Sequence, residues 1–186
     1  TQNDSFKSVS RYFDRITRPE QILTSLPQAI NVMLDPADCG PAVISMSQDV
    51  QGEAYDFPEI FFEEKIHEIR RIHPDPNQIQ KAADKLKQSK QPIIISGGGV
   101  LYSEAEEEIS AFAKKHNIPV TATVMGIGCM NKDDPYYISA IGCLGEGSSN
   151  NLATDTDLAL AVGTKLGDFT TGSWTNFENE NFQLVS

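Results

Sequence analysis

Apolar residues in the first third of the chain recur at helical spacing and are followed by a short apolar run. The spacing predicts a helix over residues 17–34, with Thr17 and Glu20 placed as a capping box and a kink expected at Pro27. After the turn-rich string DPADCGP, residues 42–46 predict a strand. No element is predicted before residue 17. The side chains expected to form the buried stripe of the helix are Ile22, Leu26, Ile30 and Met33.

From residue 75 onward, helical patterns alternate with apolar runs. Asp75 is placed to cap a helix that begins with Pro76, and Ser103 with Glu106 has the spacing of a capping box for a second helix. The run PIIIS is typical of a strand that is covered on both faces. This alternation predicts an α/β fold with a doubly wound parallel sheet. The expected strands are PIIIS, IPVTAT, DLALAVG and FQLVS, and the expected apolar face of the first helix is Ile79, Ala82, Ala83 and Leu86.

The pattern divides the chain into three parts. Residues 1–52 are predicted to be the closing part of one α/β domain, residues 53–74 an interdomain linker, and residues 75–186 a second domain. Phe57, Phe61 and Phe62 are expected to hold the linker against a surface. The chain begins without Met and ends as the strand FQLVS starts, so we expect a piece of a longer protein with its last domain truncated.

Composition narrows the function classes. The formal net charge of −11, from 15 basic and 26 acidic side chains, disfavours a nucleic-acid partner because such binding depends on clustered Lys and Arg. Apolar runs such as residues 93–95 are too short to span a membrane, and no signal-peptide pattern opens the sequence, so a cytoplasmic protein is expected. Cys39, Cys129 and Cys143 form no CxxC pair, which argues against a disulfide framework or a zinc site.

Glycine-rich strings follow several of the predicted strands. Residues 97–99, 124–128, 142–147 and 163–168 should meet at the carboxyl edge of the sheet, where parallel α/β domains bind ligands. Glycines let backbone amides approach a phosphate, and the helix expected from Ser103 would direct its positive end there. No GxGxxG or Walker string is present. A nucleotide crevice and simple tight turns both remain open readings of these glycines.

Residues for catalysis are not apparent. His67, His73 and His116 lie in the linker and at a helix end, with no nucleophile at a meaningful spacing. The acidic residues 104–108 are typical of the solvated first turn of a helix, where the dipole favours negative charge. No catalytic residue and no metal site are therefore predicted within this chain.

Several strings resemble a known family. GPAVISMSQDVQ is similar to the closing strand of the pyrimidine-binding domain in thiamine-diphosphate enzymes of the acetolactate synthase type. The ordered strings PIIISGGGV, IPVTATVMGIG, DDPYYISAIGCLG and ATDTDLALAVGTKLGDFTTG resemble the central domain of the same enzymes. Within the family, SVSRYFDRITRPEQILTSLPQAINVMLDPADCGP and especially SQDVQGEAYDFP resemble the trihydroxycyclohexanedione hydrolases of inositol catabolism.

The resemblance implies a fragment of a hydrolase that opens a cyclic diketone by C–C cleavage, with thiamine diphosphate and Mg²⁺ as cofactors. In the family, the glutamate that activates the cofactor and the Gly-Asp-Gly…Asn metal motif lie outside the segments matched here. This chain is therefore expected to be an inactive scaffold within a homodimer or homotetramer. The alternatives are a fragment of an acetolactate synthase-type carboligase or decarboxylase, and a stand-alone module that binds FAD, NAD or ADP.

Flavin-containing relatives hold FAD in the central domain, and the resemblance transfers their binding segments to this sequence. The family's loop histidine and diphosphate-binding arginine are replaced by Leu144 and Lys165, and lysine offers only a point charge to a diphosphate. The resemblance therefore leaves FAD, ADP or no ligand open in this crevice. The candidate cofactor-binding residues are Gly97, Gly98, Gly99, Thr123, Val124, Met125, Ile141, Gly142, Gly145, Gly163 and Lys165.

Overall fold

The computed structural model describes residues 1–186 and contains two compact units. The first unit comprises Thr1–His73 and the second comprises Pro74–Ser186. None of the helices combines the length and the apolar character that a membrane-spanning helix requires. The two units are described separately below.

The first unit is built around a pair of parallel strands. Strand β1 (Tyr12–Ile16) pairs with β2 (Ala42–Met46) in a register that joins Tyr12 to Ala42 and Ile16 to Met46. Helix α1 connects the two strands, and α2 follows β2. Strand β1 was not predicted, because its sequence YFDRI places two charged residues where an apolar run would be the signal. The remaining elements are the 3-10 helices Gln2–Val9, Pro19–Gln21 and Glu59–Phe61, with α1 at Ile22–Met33 and α2 at Gln48–Gln51.

Two expectations for α1 were wrong. The Thr17–Glu20 capping box does not form; the Gln21 side chain instead accepts hydrogen bonds from the backbone N–H groups of Thr17 and Arg18, at 2.7 and 3.0 Å. The buried stripe is also rotated, since Ser25 and Ala29 are buried whereas Leu26 and Met33 are 37% and 49% exposed. The Ser25 hydroxyl donates to the Asp14 carboxylate on β1, which turns this side of the helix toward the strands.

The second unit is a five-stranded sheet in the order β5-β4-β3-β6-β7, with every neighbouring pair parallel. This arrangement confirms the predicted fold class. The chain order reverses between β3 and β6, so the carboxyl ends of these two strands form the topological switch point of the sheet. The strands are β3 (Pro92–Ser96), β4 (Val120–Ala122), β5 (Tyr137–Ala140), β6 (Leu158–Val162) and β7 (Gln183–Val185).

Helices cover both faces of this sheet. Ile94 packs in one core cluster with Ile109 and Ala113 of α5, while Ile93 and Ile95 pack in a second cluster with Ala153 of α6. The continuous apolar run of β3 is therefore buried on both sides, as its sequence indicated. The helices are α3 (Pro76–Gln88), α4 (Gly98–Tyr102), α5 (Glu106–His116), α6 (Gly147–Asp155) and α7 (Asp168–Thr171), and a 3-10 turn spans Val124–Gly126.

Of the two helix starts predicted in the second unit, the first is confirmed and the second is wrong. Asp75 caps α3 as expected, because its carboxylate accepts from the backbone N–H groups of Asn77 and Gln78 at 2.7 and 3.3 Å. The Ser103–Glu106 capping box is wrong. Ser103 instead ends α4, the next residue adopts a positive φ of 54°, and α5 begins only at Glu106 without a side-chain cap.

The latter part of the first unit contains an aromatic cluster formed by Tyr55, Phe57, Phe61 and Phe62. Phe57 lies at the centre, with ring centroids 4.9 Å from Tyr55 and 5.8 Å from Phe61. Phe62 contacts Phe61 at 5.4 Å but is 70% exposed. The rings therefore pack on one another, and the chain is held locally by aromatic contacts.

Candidate functional site

The two turns at the switch point pack directly against each other through their backbones. The N–H of Gly97 donates to the carbonyl of Val162 at 2.9 Å, and the N–H of Gly99 donates to the carbonyl of Gly163 at 2.8 Å. A Cβ placed on Gly99 would lie 2.6 Å from the Cα of Gly163, and one on Gly97 would lie 2.3 Å from the Cβ of Thr164. Glycine is required at these positions because the two turns approach so closely.

The loop after β4 lies beside the same glycines. The N–H of Thr123 donates to the carbonyl of Ser96 at 2.8 Å, which anchors the loop to the end of β3. A Cβ on Gly98 would lie 3.1 Å from the carbonyl oxygen of Met125, so the backbones of these two segments are in contact. Met125 itself is 76% exposed.

The loop after β5 is held by side chains and by the short helix α7. Gly142 has a φ of +96°, and Asn150 binds its backbone twice, accepting from its N–H at 2.9 Å and donating to its carbonyl at 3.1 Å. The N–H of Cys143 donates to the carbonyl of Phe169 at 2.8 Å. The N–H of Gly145 donates to the carbonyl of Gly142 at 2.9 Å, which closes the turn.

The eleven candidate residues all lie at the carboxyl edge of the sheet, in two groups. Gly97–Gly99, Gly163 and Thr123–Met125 surround the switch point, and Ile141, Gly142 and Gly145 lie farther along the edge against α7. Ile141 belongs to the core and is buried. Lys165 lies in the turn after β6 and is exposed. The function of these residues in cofactor binding stays a prediction.

The electrostatics of this edge differ from those of a typical diphosphate clamp. Lys165 is the sole Lys or Arg in the four loops, which also carry Glu146 and Asp168. The helix that begins within the glycine triplet is α4, which has only five residues, and the longer α5 starts at Glu106. The expected alignment of a helix dipole from Ser103 with this crevice was therefore wrong.

A buried thiol lies beneath the same edge. Burial raises the pKa of the Cys129 thiol. Burial also raises the pKa of Tyr137, and the charge of Glu146 adds to that increase. Both groups are kept in their protonated forms, in which neither is an effective nucleophile. The structure contains no group of three or more His, Cys, Asp or Glu side chains placed to hold a metal ion.

Two residues that organise the sheet edges were missed by the sequence reasoning. Asn150 holds the loop after β5, and its Oδ1 also accepts from Asn176 at 3.2 Å. Asp157 holds the turn before β3, accepting from the N–H groups of Lys90 and Gln91 at 2.7 and 3.1 Å and from the hydroxyl of Ser89. Neither residue belongs to a local pattern, because their partners are distant in sequence.

A separate cavity lies toward the opposite, amino edge of the sheet. It is a groove of about 570 Å³ between α3 and α5, with β3 and β6 forming its floor. The predicted apolar face of α3 lines this groove, and no residue of that helix is fully buried. Its lining residues are Ile79, Ala82, Ala83, Leu86, Lys87, Ser89, Lys90, Pro92, Phe112, His116, Asn117, Ile118 and Leu160.

Comparison with known proteins identifies the sequence relatives of the chain. Its closely similar curated relatives include the 3D-(3,5/4)-trihydroxycyclohexane-1,2-dione hydrolase of Clostridium tetani (strain Massachusetts / E88), which is 43% identical over 186 residues. Enzymes of this description from Bacillus thuringiensis (strain Al Hakam) and Bacillus cereus (strain 03BB102) are 42% identical over 184 residues. The matches cover 99–100% of this chain but only 29% of each relative's length.

A family comparison assigns the second unit. The family described as "Thiamine pyrophosphate enzyme, central domain" matches residues 79–186, which is more than half of the chain. The match includes all five strands of the parallel sheet and the carboxyl-edge loops. The chain therefore belongs to the thiamine pyrophosphate enzyme family, whose central domain it carries at residues 79–186.

Proposed function

We propose that the full-length protein is a thiamine-diphosphate-dependent hydrolase that opens trihydroxycyclohexane-1,2-dione by hydrolytic C–C cleavage. The observation that supports this proposal is the 43% identity over all 186 residues. The similarity extends through the whole first unit, including its aromatic cluster, and this unit lies outside the family match at residues 79–186. A likeness in the central domain alone would not separate this hydrolase from other enzymes of the family.

Within that enzyme, we propose that these 186 residues serve as a scaffold. The family uses thiamine diphosphate as the electron sink for C–C cleavage. The residues present do not fit the cofactor's metal and diphosphate site, since the chain contains no group of three or more His, Cys, Asp or Glu side chains placed to hold a cation. The contribution of this chain is to fix loop positions, through bonds such as those of Asn150 to Gly142. The cofactor-binding groups are proposed to belong to other parts of the protein.

The activity is tested with the full-length protein, thiamine diphosphate and Mg²⁺. Ring opening of trihydroxycyclohexane-1,2-dione, followed by chromatographic detection of the acid product, is the expected result. Formation of acetolactate from pyruvate is measured in parallel as the competing reaction. Acetolactate formation without turnover of the diketone would contradict the proposed substrate and favour the carboligase alternative.

For the carboxyl edge, we propose a structural role with no tight nucleotide binding. The support is that the N–H groups of Gly97, Gly99 and Gly142 are already bound within the protein, and that Lys165 is the single nearby cation. Titration of the full-length protein with FAD and with ADP, followed by calorimetry, is expected to give dissociation constants weaker than about 100 μM. Micromolar binding of either would instead assign the eleven candidate residues to a nucleotide site.

We propose further that the full-length protein is cytoplasmic and forms a homodimer or homotetramer. The exposed apolar side chains Met125, Leu144, Phe169 and Trp174 at or near the carboxyl edge support contacts with other protein surfaces. Light scattering coupled to size-exclusion chromatography gives the mass in solution. A monomeric mass at micromolar concentration would contradict the proposed assembly.

A further inference from the structure

The amino-edge groove between α3 and α5 combines an apolar body with a basic rim. Ile79, Ala83 and Leu86 form the wall on α3, and Phe112 forms the wall on α5. Its volume of about 570 Å³ lies within the range of sites that hold small molecules. The wall residue Ile79 is 52% exposed, so an apolar surface of this helix lacks a covering side chain.

The charge at the groove is opposite to that of the molecule as a whole. Lys87 and Lys90 line the groove together with the imidazole of His116, and no Asp or Glu is among its lining residues. The His116 ring is supported by Phe112, with centroids 4.5 Å apart. Two carboxylates outside the lining offset part of this charge. Asp84 lies 3.7 Å from the Lys87 ammonium, and Asp157 accepts a hydrogen bond from the backbone N–H of Lys90 at 2.7 Å. Lys90 has no ion-pair partner within 4 Å.

The lysines of the second unit are concentrated at the end of the unit that contains this groove. The second unit contains no arginine, and two of its lysines, Lys132 and Lys165, lie away from this end. Both α3 and α5 end here, so some of these lysines also offset the negative ends of the helix dipoles. Lys90 lies beyond the end of α3 and is exposed at the groove. The lysines on α3, in the turn after it and in the last turn of α5 are Lys81, Lys85, Lys87, Lys90, Lys114 and Lys115.

We propose that this groove is a binding site for a small amphipathic anion, with an apolar acyl or aryl body and a single carboxylate or similar anionic head. The apolar body would lie against Ala83, Leu86 and Phe112, and the head would pair with Lys87 and Lys90. Burying the apolar part supplies most of the binding energy, while the cations select the anion. The site is distinct from the carboxyl edge, because its lining includes Pro92 at the amino end of β3 and Leu160 in the middle of β6 and none of the eleven candidate residues.

The test uses the full-length protein and a pair of fluorescent probes with similar apolar bodies. Anilinonaphthalene sulfonate is anionic and phenylnaphthylamine is neutral, so their comparison separates charge from apolar contact. Saturable binding of the anionic probe, displaced by octanoate, is the expected result. The neutral probe should bind in the same groove with at least about fivefold lower affinity, since it lacks the ion pair.

Substitutions locate the binding. Ala83→Trp fills the groove and should weaken both probes by about tenfold or more, whereas Ala111→Trp on the exposed side of α5 is the matched control and should leave both affinities within about twofold. Lys90→Gln should weaken the anionic probe about three- to fivefold and leave the neutral probe unchanged. Lys132→Gln is the control for loss of a distant positive charge.

Folding of each variant is checked by circular dichroism. If Ala83→Trp does not fold, the affinities of both probes for the unaltered protein are measured at increasing salt concentration. The anionic probe should lose affinity as the salt concentration rises, whereas the neutral probe should not. Equal weakening by Ala83→Trp and Ala111→Trp would overturn the proposal. So would equal affinity for the two probes with no effect of Lys90→Gln, or the absence of saturable binding in the full-length protein.

Discussion

At the scale of single residues, the carboxyl edge of the sheet is governed by close backbone approach. Gly99 and Gly163 lie so close together that neither position has room for a side chain. A Cβ on Gly163 would lie 2.7 Å from the backbone carbonyl carbon of Gly99. Gly163 also has a φ of +58°, which L-residues with a side chain rarely adopt. A glycine pattern that resembles a phosphate-binding motif can therefore have a purely structural cause.

Replacing Gly163 with alanine is expected to lower the free energy of unfolding by about 3 kcal/mol, because the new Cβ must displace the backbone of Gly99 and Val100. Urea denaturation followed by circular dichroism measures the change. Gly147→Ala is the matched control, since nothing lies within 4 Å of its Cβ position, and should change stability by less than about 0.5 kcal/mol. Equal effects of the two substitutions would contradict the packing role of Gly163.

A second residue-scale prediction concerns the carboxylate that holds the turn before β3. Burial raises the pKa of Asp157, but hydrogen bonds from Ser89, Lys90 and Gln91 outweigh that effect and hold it below its ordinary value of 3.8. Because the folded pKa is the lower one, the carboxylate stabilises the fold above about pH 4, and this contribution is lost as pH falls through the folded pKa. Asp157→Asn should therefore destabilise the protein at pH 7 and make unfolding less sensitive to acid.

This pH dependence is measured by urea denaturation between pH 7 and pH 3. Asp155→Asn provides the control, since Asp155 is exposed and its carboxylate accepts none of the hydrogen bonds found in the structure. The unaltered protein and the Asp155 variant should lose stability in parallel at low pH, with the Asp157 variant losing less. The free energies of unfolding of the unaltered protein and of Asp157→Asn should converge as the pH falls. If their difference stays constant between pH 7 and pH 3, Asp157 does not contribute to acid sensitivity as proposed.

At the scale of secondary-structure elements, sequence patterns succeeded where the signal was local and continuous. The run PIIIS and the Asp75 cap were predicted because each depends on neighbouring residues. Strand β1 and the start of α5 were not, since β1 is defined by its pairing with β2 and α5 by the separate turn of α4 before it. The carboxyl-edge loops were located correctly because strand order fixes where they meet. The amino-edge groove was not foreseen, because it depends on how two helices lie relative to each other.

The cap of α3 gives a prediction at this scale. Asp75→Ala should lower the free energy of unfolding of the second unit by about 1 kcal/mol, because the N–H groups of Asn77 and Gln78 lose their acceptor. Asp75→Ser should retain most of the stability, since serine is also a good capping residue. Hydrogen exchange at the first turn of α3 locates the effect. Unchanged exchange of these amides in Asp75→Ala would show that the cap contributes little.

At the scale of the whole molecule, the boundary between the two compact units falls between His73 and Pro74. The predicted boundaries at residues 52/53 and 74/75 remain to be tested. Residues 62–75 form no helix or strand, and they include Lys65, Arg70 and Arg71, which are exposed. The last residues of the first unit thus offer several sites to trypsin.

Limited proteolysis tests the organisation of the chain. Brief trypsin treatment is expected to cut first at Lys65, Arg70 or Arg71, because regular hydrogen-bonded structure does not protect this segment. Mass spectrometry should then find one fragment that begins near Asp75 and contains the entire five-stranded sheet. Lys115, which is also exposed but lies within α5, is the internal reference and should be cut more slowly. Earlier cleavage at Lys115 would contradict the two-unit organisation.

The interlocked turns at the ends of β3 and β6 have a consequence for chimeric enzymes. Gly99 and Gly163 are 64 residues apart in the sequence. Each turn can adopt its shape only because the facing residue of the other turn is a glycine, without a side chain. A loop transplanted after β3 alone would collide with the resident turn after β6 if it carried a side chain at the position of Gly97 or Gly99. Grafts at this edge should therefore exchange both turns together, and natural variation at the two positions is expected to be correlated.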